Sequence, residues 1–177
     1  PSADFELVLP GVVFGAVGTS GQRCTSTRRL IIHDSIYDKV KEILVKAYGQ
    51  ITIGNPLDES NHMGPLIDED SVNTYLEAIQ KAKAEGGNML IEGKKLDGPG
   101  YESGCYVSPS MAEVENHYEI VQHETFAPLL YLIKYSGDVS NAIEIQNGVA
   151  QGLSSSIFTN NIRESELFLS QQGSDCG

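Results

Sequence analysis

Basic side chains are scarce in this sequence: 12 Lys and Arg stand against 24 Asp and Glu, a formal net charge of −12. Such a surface repels phosphate backbones and anionic lipid, and the cations form no run longer than Arg28-Arg29 or Lys94-Lys95, so nucleic acid is not an expected partner. Long apolar runs are missing too. The stretch over residues 7–17 is short, follows Asp4 and Glu6 rather than a basic region, and contains Pro10 and two glycines, so it reads as neither a signal peptide nor a membrane span. Cysteine is sparse: Cys24, Cys105 and Cys176 are an odd set with no C-x-x-C and no His at metal-ligand spacing. That pattern points away from a disulfide framework and from any metal site, and it fits a reducing, cytoplasmic setting. No G-x-G-x-x-G follows a strand, so a self-contained dinucleotide fold is not visible. No repeat, low-complexity segment or linker divides the chain.

What is present suits one folded domain. The 177 residues are 40% hydrophobic and 20% charged, which allows a sizeable core and argues against disorder. Ile36, Val40, Ile43, Leu44 and Ala47 mark one face of a helix behind an Asp34-Ser35 capping signal. Val72, Tyr75, Leu76, Ile79 and Ala82 mark a second, with Asp68, Glu69 and Asp70 at its positive end and Gly86-Gly87 as its stop. Further helices are predicted over residues 138–148 and 162–172. Short apolar runs at residues 30–32, 89–91, 129–133 and 156–158 read as buried strands. The expected class is α/β, a largely parallel sheet flanked by helices. Tyr37, Tyr48 and Tyr75 fall on the helices as packing residues, and no role is assigned to His33, His62, His117 or His123.

The chemistry concentrates at Gly18-Thr19-Ser20-Gly21-Gln22-Arg23-Cys24-Thr25. Glycines let main-chain N–H groups approach a substrate oxygen, and a neighbouring guanidinium favours thiolate, so Cys24 has the surroundings of a nucleophile. Taken alone the motif is weak, because cysteine is also among the most buried residue types and an inert core thiol fits as well.

Several segments together carry more. Residues 14–24, Phe-Gly-Ala-Val-Gly-Thr-Ser-Gly-Gln-Arg-Cys, resemble the helix and G-Q-x-C loop around the nucleophile of aldehyde dehydrogenases. In family order follow Arg29 before a strand, Gly54-Asn55-Pro56 and Gly64-Pro65, then Glu124-Thr125-Phe126-Ala127-Pro128, which resembles the E-x-F-x-P segment. Residues 152–159, Gly-Leu-Ser-Ser-Ser-Ile-Phe-Thr, match the G-L-x-x-x-[IV]-F-T strand. Within the family the likeness is to the antiquitin branch, the α-aminoadipic semialdehyde (piperideine-6-carboxylate) dehydrogenases of lysine breakdown, and it extends to Gly173-Ser174-Asp175-Cys176-Gly177.

The resemblance implies a catalytic domain over residues 1–177, incomplete, with the Rossmann domain, the general-base glutamate, the oxyanion asparagine and the C-terminal oligomerisation segment expected outside it. It implies oxidation of a small-molecule aldehyde with NAD or NADP, Cys24 as nucleophile, Glu124 against the nicotinamide ribose and Phe126 against the ring. A solvated carboxylate and a core aromatic are the plainer readings of the last two. Arg23 and Thr25 flank the thiol as candidate substrate-binding residues, Arg23 for a carboxylate at the far end of a semialdehyde. Arg23 could instead pair with a nearby acid, and Thr25 could cap a helix. The family further implies a homo-oligomer, a dimer or tetramer. Two alternatives stay open: an acylating aldehyde dehydrogenase or acyl-phosphate reductase relative, and a catalytically silent scaffold. The isolated chain is expected to fold, to self-associate and to show no turnover.

Overall fold

The computed structural model describes residues 1–175, so Cys176 and the end of the 173–177 motif lie outside the described residues. Its centre is β4, Leu129–Tyr135, whose first five residues are all buried. A strand covered on both faces needs apolar side chains at every position rather than alternate ones, and Leu-Leu-Tyr-Leu-Ile supplies them. β1, Arg29–His33, and β3, Ser110–Glu113, pair with β4 in parallel on either side, while β2, Asn88–Ile91, runs antiparallel to β3. The order is therefore β1-β4-β3-β2. The expected α/β architecture is borne out, with the sheet mixed: the step from β2 to β3 brings the chain back antiparallel.

Side chains that alternate along β4 divide the core in two. Leu129, Tyr131 and Ile133 face α3, Glu69–Ala84, through Val72, Tyr75, Ala78, Ile79 and Ala82. Leu130 and Leu132 face α1, Phe5–Val17, and α2, Asp34–Tyr48, meeting Val12, Val40 and Leu44. Tyr37, Tyr48 and Tyr75 are buried packing residues, as their helical spacing predicts. Asp68 caps α3 by accepting a bond from the Ser71 N–H at 2.8 Å. The cap of α2 is His33, not Asp34 or Ser35: its imidazole Nδ1 accepts from the Ser35 N–H at 3.1 Å, and Asp34 already belongs to the helix. The two remaining helices are α4, Val139–Asn147, and α5, Ile162–Leu169. No helix among the described residues is long and apolar enough to cross a membrane.

One strand is unexpected, and one expected strand is absent among the described residues. β3 has no apolar run of its own, since Ser-Met-Ala-Glu is ordinary loop composition, and only its place between β4 and β2 buries it. Residues 156–158, by contrast, have strand composition but form no strand. Among the described residues they have no backbone ladder partner, and composition cannot supply the neighbour that a strand requires.

Candidate active site

The Cys24 loop starts where α1 ends. Thr19, Ser20 and Gly21 all adopt left-handed backbone, at φ 55, 56 and 68°, a sharp reversal that costs the two non-glycine residues conformational energy. Side chains hold it in place. The Ser20 hydroxyl donates to the Gly64 carbonyl at 2.7 Å, and the Gln22 amide bridges to residues 65–67, donating to the Pro65 carbonyl at 3.2 Å and accepting from the Ile67 N–H at 2.9 Å. Gly21 must be glycine for a second reason: a Cβ there would lie 2.4 Å from the Ala127 carbonyl oxygen. That contact seats the loop directly on the Glu124-to-Pro128 segment.

The outcome is an exposed thiol. Cys24 is a free cysteine at a turn, so the buried, inert alternative does not describe it. Its backbone N–H donates to no acceptor among the described residues. Cys24, Thr25, Glu124 and Phe126 line one cleft of about 440 Å³, bounded on the far side by residues 151–158 and running inward along β1. Thr25 is exposed and caps no helix.

Arg23 is placed differently from its neighbours. Its guanidinium lies 4.6 Å from the centre of the Phe14 ring and donates to the Phe14 carbonyl at 3.2 Å, outside the lining of the cleft. Among the described residues it pairs with no Asp or Glu in an ion pair.

Glu124 and Phe126 are neither merely solvated nor core. Glu124 forms a 2.8 Å ion pair with Arg28 while its side chain stays 49% exposed. Phe126 is 40% exposed and has left-handed backbone, φ 55°. Arg28 is the residue that sequence reasoning missed, noted only as part of a short basic pair. Its partner is far along the chain, and no spacing rule connects the two. Arg29, next to it, points elsewhere and ties β1 to α4 through the Ile145 and Gln146 carbonyls. Among the described residues no group of His, Cys, Asp or Glu could hold a metal ion.

The aldehyde dehydrogenase family pattern matches residues 1–177. The α-aminoadipic semialdehyde dehydrogenase of Rattus norvegicus is 46% identical over 176 residues, covering 99% of this chain and 32% of that protein. Aldehyde dehydrogenase family 7 member B4 of Arabidopsis thaliana is 43% identical over 175 residues, covering 99% and 34%. The chain spans about a third of the length of these curated relatives. Among solved structures, a 3,6-anhydro-L-galactose dehydrogenase in complex with NAP superposes with a TM-score of 0.92 at 30% identity, over 99% of this chain and 37% of that one. Betaine aldehyde dehydrogenase of Staphylococcus aureus in complex with NAD+ gives 0.88 at 28% identity, over 93% and 33%. The antiquitin-branch likeness read from the motifs is thus borne out across the length of the chain, and the chain belongs to the aldehyde dehydrogenase family.

Proposed function

We propose that this chain carries the thiol-bearing part of an NAD(P)-dependent aldehyde dehydrogenase, and that Cys24 is its nucleophile. One observation carries the reading: an exposed cysteine on a strained, clamped loop shares a cleft with Glu124 and Phe126. The Cys24 thiolate adds to the aldehyde carbon, and the oxygen takes the negative charge of a thiohemiacetal. The Cys24 N–H, which has no partner among the described residues, donates to that oxygen. Bound coenzyme supplies the acceptor for the hydride leaving that carbon, which becomes a thioester. Water then attacks the thioester, releasing the acid and restoring the thiolate.

The residues on the cleft wall suit a nicotinamide coenzyme. Glu124 Oε1 is held by Arg28, and Oε2, which accepts no hydrogen bond among the described residues, is left to accept from ribose hydroxyls. Phe126 offers an exposed aromatic ring beside it. The relatives' names support a carboxylated semialdehyde as substrate, with Thr25 on the cleft wall and Arg23 beside the thiol. Arg23 reaches such a carboxylate only by leaving the Phe14 ring. A homo-oligomer completes the proposal.

In the longest natural polypeptide that carries this sequence, Cys24→Ala is expected to lower aldehyde oxidation at least about a thousandfold with coenzyme affinity within about twofold of the parent. Turnover near the parent rate in that variant overturns the covalent mechanism.

A further inference from the structure

One guanidinium joins the Cys24 loop to the Glu124–Phe126 segment. Arg28 donates from Nη1 to the Ser26 carbonyl at 3.0 Å and from Nη2 to the Arg23 carbonyl at 3.0 Å, on the two sides of the Cys24-Thr25 turn. The same Nη2 lies 2.8 Å from Glu124 Oε1, and the guanidinium carbon stands 5.4 Å from the centre of the Phe126 ring. The Arg28 side chain is only 22% exposed, so water screens these contacts less than it would on an open surface. Planarity matters here. A rigid fork can meet two carbonyls and a carboxylate in fixed directions, and a lysine ammonium cannot.

We propose that Arg28 is a positioning residue which fixes Glu124 and Phe126 against the Cys24 loop and so sets the coenzyme-facing carboxylate for binding. The proposal rests on the reading of Glu124 given above. Two features would otherwise leave this wall loose. Glu124 is half-exposed, with no second protein partner to hold its carboxylate among the described residues, and Phe126 sits in a backbone conformation that a non-glycine residue adopts at a cost. Arg28 supplies a fixed partner for both. Its contact is to Oε1, which orients the carboxylate, and Oε2 accepts no hydrogen bond among the described residues.

The test compares coenzyme binding, measured calorimetrically with NAD, across Arg28→Met, Arg28→Lys, Glu124→Gln and the double variant Arg28→Met/Glu124→Gln, in the longest natural polypeptide that carries this sequence. Loss of one charge-assisted contact predicts about a tenfold rise in the Kd for NAD in Arg28→Met, with the KM for aldehyde within about twofold. Arg28→Lys keeps the charge without the fork and is expected to rise about threefold, so the comparison survives if the Met variant does not fold. If Arg28 acts through Glu124, the double variant binds NAD no more than about twofold more weakly than Glu124→Gln alone. Unchanged or tighter NAD binding in Arg28→Met and Arg28→Lys, or single-variant effects that multiply in the double, overturns the assignment of Arg28. Unchanged NAD binding in Glu124→Gln overturns the reading of Glu124 itself, and the proposal for Arg28 falls with it.

Discussion

The sheet with α1 to α3 and the segment from residue 151 to α5 are built from similar side chains and held in different ways. β4 buries five consecutive residues, and α3 buries Val72, Tyr75, Ala78, Ile79 and Ala82 against it. α5 has a clearly amphipathic sequence yet buries no residue, and Ile162 and Leu169 are 69% and 76% exposed. The stretch before it has no backbone ladder among the described residues and leaves Leu153 66% exposed. Apolar composition therefore does not make a core; a neighbour with a matching face does. The cleft lies along the join, with Cys24, Glu124 and Phe126 anchored to the packed side and residues 151–158 forming the lightly held one.

The largest expected effect tests that contrast directly. Leu130 is fully buried between β4 and the α1–α2 layer, so Leu130→Ala removes methyl groups from a site with little room to collapse and should cost about 2–5 kcal/mol. Leu169→Ala deletes the same atoms from an exposed position and should lie within about 0.5 kcal/mol of the parent. Urea unfolding followed by circular dichroism measures both. A comparable cost at the two positions would mean that α5 is packed against something and that the contrast is false.

A smaller effect separates the two helices by one kind of bond. Asp68 caps α3 and Asn161 caps α5, each accepting from a backbone N–H, at 2.8 and 3.0 Å. Asp68→Ala should lower the melting temperature by about 2–4 °C, because α3 unfolds only with the sheet and its cap counts toward the whole transition. Asn161→Ala should leave the melting temperature within about 1 °C while speeding amide exchange over residues 162–169, because a helix without buried contacts opens locally. Equal shifts in melting temperature would join α5 to the same cooperative unit as α3.

What was legible in the sequence follows the same division. α2 and α3 declare themselves because a face that recurs over several turns needs no knowledge of its partner. β4 declares itself because Leu-Leu-Tyr-Leu-Ile fits few places other than a covered strand. β3 was not legible, since Ser110 to Glu113 is buried by position and not by composition, and residues 156–158 misled for the converse reason. At the cleft, motif resemblance picked out Cys24, Glu124 and Phe126, which the fold brings to one wall. It could not show that Arg23 turns back onto Phe14, or that Arg28 joins the Cys24 loop to Glu124, because both depend on three-dimensional contacts that local sequence does not encode.

The smallest expected effect is a pH dependence, and it asks whether the lightly held side is tied down by charge where apolar packing is lacking. Glu164 sits in the first turn of α5 and accepts from the Thr159 hydroxyl and, at 3.1 Å, from the Ser2 hydroxyl. The Thr159 bond foremost, against some desolvation and with help from Ser2, holds its carboxyl below the usual range. A depressed value in the folded state means that folding favours the ionised form. The contribution is therefore complete above the unfolded value, about pH 4.3, and is lost as pH falls through the lower folded value. Asp68 at the start of α3 is held low in the same way by Ser71, but α3 keeps its buried face when that carboxyl is protonated. Acidification from pH 7 to pH 3 should thus loosen α5 before α3, seen as loss of helical carbon shifts over residues 162–169 while those over residues 69–84 persist. Glu164→Gln should begin with a looser α5 at pH 7 and change less on acidification. If α5 held its helical shifts to pH 3, or if the variant titrated like the parent, the anchor would lie in contacts other than this carboxylate, and the two sides of the cleft would be more alike in their support than their burial suggests.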